Sequence, residues 1–231
     1  MTENILSVIL LMVLSYLLGS IPSAYLAGKW IKKIDLREYG SGTVSASMVW
    51  EHVAKWALFP VGIFDILKGA IPTWICMDLN MGLPAIALIC LSAVIGHNWP
   101  IFLQFHGGRG LSPFLGILFA GFPYGFLIMI VALGLGVVLD ISAPLTLILL
   151  LLFPSIVGLL DGPAFVSTIA VGMTIITLIK RIEANGRPLP QGGKERWVVI
   201  ARRLFLDRDM RDHQSWLQRT PSQDDSGEKH D

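Results

Sequence analysis

Long uncharged apolar stretches are the feature that most constrains this chain. Residues 5–27 contain no charged side chain, and residues 145–152 are leucine and isoleucine apart from one threonine. A helix rises about 1.5 Å per residue, so about 20 apolar residues cross the roughly 30 Å hydrocarbon core of a bilayer. Charged residues make up 15% of the chain, whereas about 25% is typical of soluble domains. These features predict a protein that crosses the membrane several times.

Breaks between the apolar stretches predict an all-α membrane protein with about seven transmembrane or partly spanning helices. Residues 112–139 are too long for one ordinary crossing, and Pro123 with its flanking glycines divides them into two shorter helices. Some helices between residues 112 and 160 are short enough to be re-entrant or steeply tilted. The other expected spans are residues 5–27, 53–77 and 85–103, a sixth segment ending near residue 160, and a seventh ending near residue 181.

Lysine and arginine are unevenly distributed, and this predicts the orientation in the membrane. Outside the spans they all fall in four regions: residues 29–52, 104–112, 139–144, and everything after residue 180. Cytoplasmic loops of membrane proteins carry an excess of these two residues. We therefore expect an outside N-terminus, a cytoplasmic C-terminus, and all four polar regions on the cytoplasmic side.

The chain is expected to divide into a membrane domain at residues 1–181 and a cytoplasmic tail at residues 182–231. Within the tail, residues 197–205 combine Trp, Val and Phe with two arginines, which favours a short amphipathic helix lying on anionic lipid. Beyond Thr220 polar residues lack apolar support, which predicts a disordered end.

A glycine-rich polar stretch at residues 96–113 interrupts the apolar sequence and is the strongest candidate for a site. It contains two histidines, His97 and His106, and it places Arg109 among Gly107, Gly108 and Gly110. Glycines allow backbone N–H groups to approach a ligand closely, and a guanidinium suits a phosphate or carboxylate. The alternative is a polar turn between helices whose Arg109 contacts lipid headgroups.

Two further patterns carry polar chemistry. Asp65 and Lys68 lie three residues apart within an apolar segment, so on a helix they share a face and can pair. The hydroxyls of residues 41, 43, 45 and 47 occupy alternate positions, so an extended loop would present them on one side. The two cysteines lie inside apolar segments, and no His or Cys spacing indicates a metal site. The Gly, Ser, Thr, Lys, Arg and His residues of the polar regions together favour an anion-binding site at the membrane face.

An ordered set of motifs resembles the bacterial acyl-phosphate:glycerol-3-phosphate acyltransferases, the PlsY family. The resemblance runs from about residue 10 to 180. The motifs are Gly19-Ser20-Ile21-Pro22-Ser23-Ala24-Tyr25, Gly40-Ser41-Gly42, Phe64-Asp65-Ile66-Leu67-Lys68-Gly69, Gly96-His97-Asn98-Trp99-Pro100 and Phe105-His106-Gly107-Gly108-Arg109-Gly110.

The resemblance implies an enzyme of the bacterial inner membrane whose active site faces the cytoplasm. Such an enzyme transfers a fatty acyl group from acyl phosphate to the 1-hydroxyl of glycerol 3-phosphate and gives lysophosphatidic acid. It uses no cofactor, no metal and no acyl-enzyme, and its partners are these substrates and membrane lipid, not nucleic acid. By resemblance the catalytic residues are Ser41, Lys68 and Arg109. The substrate-binding residues are Gly42, Thr43, His97, His106, Gly107, Gly108, Gly110, Ser142 and Arg181.

Several motif positions differ from the family pattern. Thr43 and Met48 replace asparagines of the first motif, His106 replaces a lysine, and residues 180–184 lack the histidine and asparagine of the last motif. A family member that binds lipid phosphate without turnover is therefore one alternative. A transporter of a phosphorylated or anionic solute is the other, because broken helices and charges inside a span also fit transport.

Overall fold

The structure is a computed structural model of the chain, and it describes residues 4–221. Within those residues the chain is helical and has no strand, as the sequence predicts. The α-helices are α1 (Ile5–Ser20), α2 (Ser23–Ala27), α3 (Ala46–His52), α4 (Leu58–Asp78), α5 (Leu83–Asn98), α6 (Leu111–Gly121), α7 (Pro123–Val138), α8 (Ser142–Leu159), α9 (Ala164–Glu183), α10 (Gly193–Leu206) and α11 (His213–Leu217).

Five of the helical segments in the described chain are long and apolar enough to cross a membrane, and α6 and α7 are shorter. The predicted break between residues 112 and 139 lies at Phe122, which separates α6 from α7. With 11 residues, α6 is about 16 Å long, so it cannot cross a roughly 30 Å core alone. The fold is therefore the expected membrane bundle in which some helices span only partly.

Glycines allow two helix pairs to pack closely inside the bundle. Gly19 of α1 faces the backbone of Ala93 in α5, and Gly96 of α5 faces the backbone of Tyr16. In the same way Gly116 of α6 packs on the backbone of Ile66 in α4. Small residues are typical of such contacts in membranes, where close packing rather than water exclusion drives helix association.

The four polar regions that the charge pattern assigns to one side meet at one end of the bundle. The Asn185 side chain donates to the carbonyl oxygens of Gly42 and Gly107. Arg181 donates to the carbonyl of Ala143, so the fourth region also contacts the 139–144 turn. This clustering is what the positive-inside pattern predicts, although which end faces the cytoplasm stays a prediction.

The tail contains the helix expected at residues 197–205, which lies within α10. Its Trp197 and Phe205 side chains are exposed, while Arg203 is buried against the bundle. The structure therefore attaches the tail to the bundle through the Arg203 side chain. The expected disorder beyond Thr220 falls almost wholly at residues 222–231, which lie outside the described residues.

A test of the close packing compares two glycines. A methyl group at Gly116 would overlap the carbonyl oxygen of Ile66, whereas one at Gly134 in α7 meets open space. Gly116→Ala should destabilise the protein by about 1–3 kcal/mol through overpacking. Gly134→Ala should leave stability unchanged or raise it slightly, because alanine favours helix. Thermal unfolding midpoints in detergent measure both, and equal midpoints would contradict close α4–α6 packing.

Candidate active site

The first site loop carries a chain of hydroxyl groups between a buried and an exposed end. Ser41 Oγ lies 2.6 Å from Thr43 Oγ1, which lies 3.3 Å from Ser45 Oγ, which lies 3.0 Å from Ser47 Oγ. Ser41 and Thr43 are buried and Ser47 is exposed. The four hydroxyls lie next to one another as their alternate spacing predicts, but the segment is not extended, because Gly42 has a positive φ and Ser47 lies in α3.

The second loop contains the glycine motif, and its backbone joins it to two other elements. The N–H of Val44 donates to the carbonyl of Gly107, and the N–H of Gly108 donates to the carbonyl of His97. A Cβ at Gly108 would collide with the His97 ring. Glycine is therefore required at residue 108 for the loop to lie against α5. Gly110 adopts a positive φ of 76° where α6 begins, a conformation that also favours glycine.

Asn185 holds the two loops together, and sequence reasoning missed it. It follows α9 in the left-handed conformation, with a φ of 54°, and its Nδ2 lies 2.8 Å from the carbonyl oxygen of Gly42 and 3.2 Å from that of Gly107. The last motif lacks its asparagine at residue 184, but an asparagine follows immediately. That one-residue displacement is the signal that could have identified Asn185.

Arg109 lies at the centre of the site, and all three of its guanidinium nitrogens have partners. Nε and Nη2 contact the two carboxylate oxygens of Asp207 at 3.0 and 2.9 Å, and Nη1 donates to the carbonyl of Lys180 at 2.8 Å. Nε donates a hydrogen bond to Oδ2, Nη2 forms an ion pair with Oδ1, and a guanidinium also binds phosphate from this side. Arg109 therefore contacts protein groups from α9 and the tail.

A pocket beside Arg109 is lined by arginines from three parts of the chain. Among residues 4–221, Asp207 and Asp209 are the only acidic residues that line it, so within that range the arginine charges outnumber the carboxylates by three. A pocket with this balance attracts anions. Its lining residues include Ser41, Arg109, Arg181, Arg187, Arg203 and Arg208.

Lys68 and Asp65 form the predicted pair at the point where the first span breaks. Lys68 Nζ lies 2.5 Å from Asp65 Oδ1 and donates to the carbonyl of Ile21 at 2.6 Å. Ser23, at the start of α2, donates to Asp65 at 2.6 Å. Both charged side chains are almost fully buried. The pair thus supplies hydrogen-bond partners to the Ile21 carbonyl and the Ser23 hydroxyl, which the break between α1 and α2 places in apolar surroundings.

Six of the predicted site residues line one of two pockets. Ser41, Arg109 and Arg181 line the arginine pocket. Lys68, His97 and Gly107 line a second pocket beside the α1–α2 break, where His97 Nδ1 lies 3.8 Å from Asp65.

The remaining predicted residues lie in or near the loops. Gly42 and Thr43 continue the loop that holds Ser41, and Gly108 and Gly110 flank Arg109. None of these four residues, nor His106 or Ser142, lines either pocket in the part of the chain that the structure describes. The ring of His106 instead donates through Nδ1 to the carbonyl of Gln104, and Ser142 begins α8 next to the Ala143 carbonyl that binds Arg181.

Two titratable groups outside the spans brace the first loop. Hydrogen bonds from Arg37 lower the pKa of Asp35, so this carboxylate stays ionised and fixes the turn before Gly40. Burial lowers the pKa of His52. Its Nε2 lies 2.9 Å from the carbonyl oxygen of Leu217, so that nitrogen carries the hydrogen. The first loop is therefore joined to the tail at α11.

Among residues 4–221 no group of three or more His, Cys, Asp or Glu side chains is placed to hold a metal ion. Beside the carboxylates of Asp207 and Asp209, the polar groups that line the arginine pocket include five guanidinium groups and the Ser41 hydroxyl. These are donors for an anionic oxygen.

A double substitution tests the buried pair. Lys68→Met leaves the Asp65 carboxylate without its cation, and the loss of one partner of a buried pair costs about 3–5 kcal/mol. Adding Asp65→Asn removes that charge, so the double variant should unfold at a higher temperature than Lys68→Met. Thermal midpoints and turnover of both variants are the measurements. Equal damage in the two variants would show that Lys68 acts outside this pair.

Comparison with known proteins shows which family the chain resembles in sequence. The sequence model of the family described as glycerol-3-phosphate acyltransferase matches residues 9–189. Glycerol-3-phosphate acyltransferase 5 of Dehalococcoides mccartyi is 33% identical over 226 residues, covering 91% of this chain and 93% of that protein. The glycerol-3-phosphate acyltransferase of a Synechococcus strain is 34% identical over 200 residues, covering 85% of this chain and 84% of that protein.

The fold matches solved structures of the same kind. The crystal structure of PlsY, an integral membrane glycerol 3-phosphate acyltransferase, in its glycerol 3-phosphate form superimposes with a TM-score of 0.69 at 28% identity. The match covers 78% of this chain and 91% of that protein. The lysophosphatidic acid form gives a TM-score of 0.67. With sequence, fold and the two glycine loops in agreement, this chain belongs to the glycerol-3-phosphate acyltransferase family.

Proposed function

We propose that this chain transfers a fatty acyl group from acyl phosphate to the 1-hydroxyl of glycerol 3-phosphate, giving lysophosphatidic acid and inorganic phosphate. Family membership supports the reaction, since the relatives are named for it and the matching PlsY structure holds glycerol 3-phosphate. The observation that carries the proposal is local. The hydroxyl loop, the glycine loop and the end of α9 converge on one pocket with excess positive charge.

The reaction asks the protein to position two phosphorylated substrates and to stabilise negative charge. The hydroxyl oxygen of glycerol 3-phosphate attacks the acyl carbonyl, and the bond between the acyl carbon and the phosphate oxygen breaks. The leaving phosphate takes the bonding electrons, and the hydroxyl proton passes to a phosphate oxygen. Because acyl phosphate is already activated, positioning and electrostatic stabilisation supply most of the rate.

We assign roles from the contacts of each residue. Arg109 binds a substrate phosphate through its bidentate side, and Arg181 adds positive charge to the same pocket. Ser41, at the inner end of the hydroxyl chain, donates its hydroxyl hydrogen to a substrate oxygen. The contacts of Lys68 support a positioning role rather than a catalytic one, because its ammonium group contacts Asp65, Ile21 and Ser23 within the protein.

The remaining predicted residues shape the loops around the substrates. Gly107, Gly108 and Gly110 allow the second loop to pass close to α5, and His97 lies beneath Gly108. Gly42 has a φ of 68°, which a glycine adopts without strain, and its carbonyl accepts from Asn185. Thr43 continues the hydroxyl chain. His106 and Ser142 are proposed only as neighbours of the site.

The clustering of the polar loops at one end also argues against the transporter alternative. A transporter alternates access to both sides of the membrane around a site near its midplane. Here the loops that carry the candidate site meet at one end of the bundle.

We further propose that this end faces the cytoplasm of a bacterial inner membrane. The asymmetry of lysine and arginine supports it, because cytoplasmic loops carry these residues in excess. Reporter fusions after Asp161 and after Gly186 should report the outside and the cytoplasm respectively. If both fusions report the same side, α9 does not cross the membrane, which would contradict the seven-segment orientation.

Substitution of Arg109 tests the proposed phosphate contact. Arg109→Ala removes a charge-assisted hydrogen bond of about 1.5–3 kcal/mol, which corresponds to a loss of about tenfold to a hundredfold in kcat/KM. Arg109→Lys keeps the charge and should retain more activity. The assay mixes purified protein, acyl phosphate and glycerol 3-phosphate and measures the inorganic phosphate released.

A folded Arg109→Ala variant with full activity would contradict the assignment of Arg109. A folded wild-type protein without acyl transfer would contradict the function itself and support a member of the family that binds without turnover.

A further inference from the structure

We propose that the carboxylate of Asp207 competes with a substrate phosphate for Arg109, so that the C-terminal tail sets the affinity of the enzyme for that substrate. The inference rests on the proposed function and deepens it. The competing ligand is a phosphate monoester or an acyl phosphate, since both present anionic phosphate oxygens to a guanidinium.

The first support is the geometry at Arg109. Nε and Nη2, the side of the guanidinium that binds two oxygens at once, face the carboxylate oxygens of Asp207 at 3.0 and 2.9 Å. Carboxylate and phosphate oxygens bind this side of arginine in the same way. Nη1 is directed to the carbonyl of Lys180. A phosphate that binds the Nε and Nη2 side of Arg109 must therefore take the place that Asp207 now occupies.

The second support is that other contacts hold the tail in place. The buried Arg203 side chain donates to the carbonyls of Ile182, Arg187 and Pro188 at 3.0–3.2 Å and pairs with Asp209. Further along, the N–H of Gly40 donates to the carbonyl of Arg219. These contacts place Asp207 beside Arg109 whether or not the two side chains interact, so its effective concentration there is high.

The third support comes from where the family match ends. The family model covers residues 9–189, and Asp207 lies 18 residues beyond its end. Asp207 and Asp209 therefore lie outside the part of the chain that the family model matches, in a tail into which the alignment with the Dehalococcoides mccartyi relative extends. A carboxylate paired with the guanidinium of Arg109 acts against the binding of phosphate there, because like charges repel and the donors are shared.

The expected change in substrate affinity follows from the fraction of molecules in which the Asp207 carboxylate occupies Arg109. The apparent dissociation constant equals the intrinsic one divided by the fraction of molecules with a free site. If Asp207 occupies Arg109 in about 70–90% of molecules, its removal tightens binding about threefold to tenfold.

The test substitutes Asp207→Asn and, as a matched control, Asp140→Asn. Both aspartates adopt the left-handed conformation, with φ of 55° and 56°, which asparagine tolerates. Both contact another region of the chain, since Asp140 pairs with His213 of the tail, but Asp140 lies away from the arginine pocket. KM is measured separately for glycerol 3-phosphate and for acyl phosphate, together with kcat.

Asp207→Asn should lower KM about threefold to tenfold for one of the two substrates and leave kcat within about twofold, while Asp140→Asn should change neither. The substrate whose KM falls is the one whose phosphate binds Arg109. Unchanged values for both substrates would overturn the proposal. A raised KM or a large loss of kcat would also overturn it, because Asp207 would then orient Arg109 for the reaction.

Calorimetric titration with inorganic phosphate keeps the proposal independent of turnover. Asp207→Asn should bind phosphate more tightly than the wild-type protein even if neither protein transfers an acyl group. Hydrogen exchange supplies a second readout, in which phosphate should increase exchange at residues 207–209 of the wild-type protein and leave α10 protected. Equal phosphate affinity in the two proteins would overturn the competition, whereas absent turnover alone would overturn only the proposed reaction.

Discussion

Backbone carbonyls left open at helix ends and loops are satisfied by positive side chains, and the site is built from these contacts. Lys68 donates to the carbonyl at the α1–α2 break, Arg109 to that of Lys180 near the end of α9, and Arg203 to three carbonyls that follow. An unsatisfied polar group costs several kcal/mol where water is absent, so irregular backbone near a membrane needs such donors. The requirement draws cationic side chains from distant parts of the chain to one end of the bundle.

The same contacts explain how this end can bind an anion. A guanidinium that donates to a carbonyl keeps its full charge, so a structural role does not use up its attraction for phosphate. Arg181 illustrates this, because it donates to the carbonyls of Leu204 and Ala143 and also lines the arginine pocket. Asp207 and Asp209 offset only part of that charge. The tail thus both stabilises the cluster and occupies the Nε and Nη2 donors of Arg109.

Helix positions were predictable from the sequence because apolar length and proline breaks act locally. The division at Pro123, the Asp65–Lys68 pair and the alternating hydroxyls all follow from spacing along one element. The way the tail docks was not predictable, since the Arg109–Asp207 contact joins residues 98 positions apart. From the charge pattern, the tail arginines are predicted to lie on anionic lipid. In the structure Arg203 is instead buried against the end of α9. Long-range pairings among many similar charges leave no periodic signal in a single sequence.

The most direct test of the account is a structure of the protein with glycerol 3-phosphate bound. We expect its phosphate oxygens about 2.7–2.9 Å from the guanidinium nitrogens of Arg109, in the place of the Asp207 carboxylate, with α10 still held by Arg203. A phosphate bound away from the arginine pocket, with the Arg109–Asp207 pair intact, would contradict both the role of Arg109 and the competition by the tail.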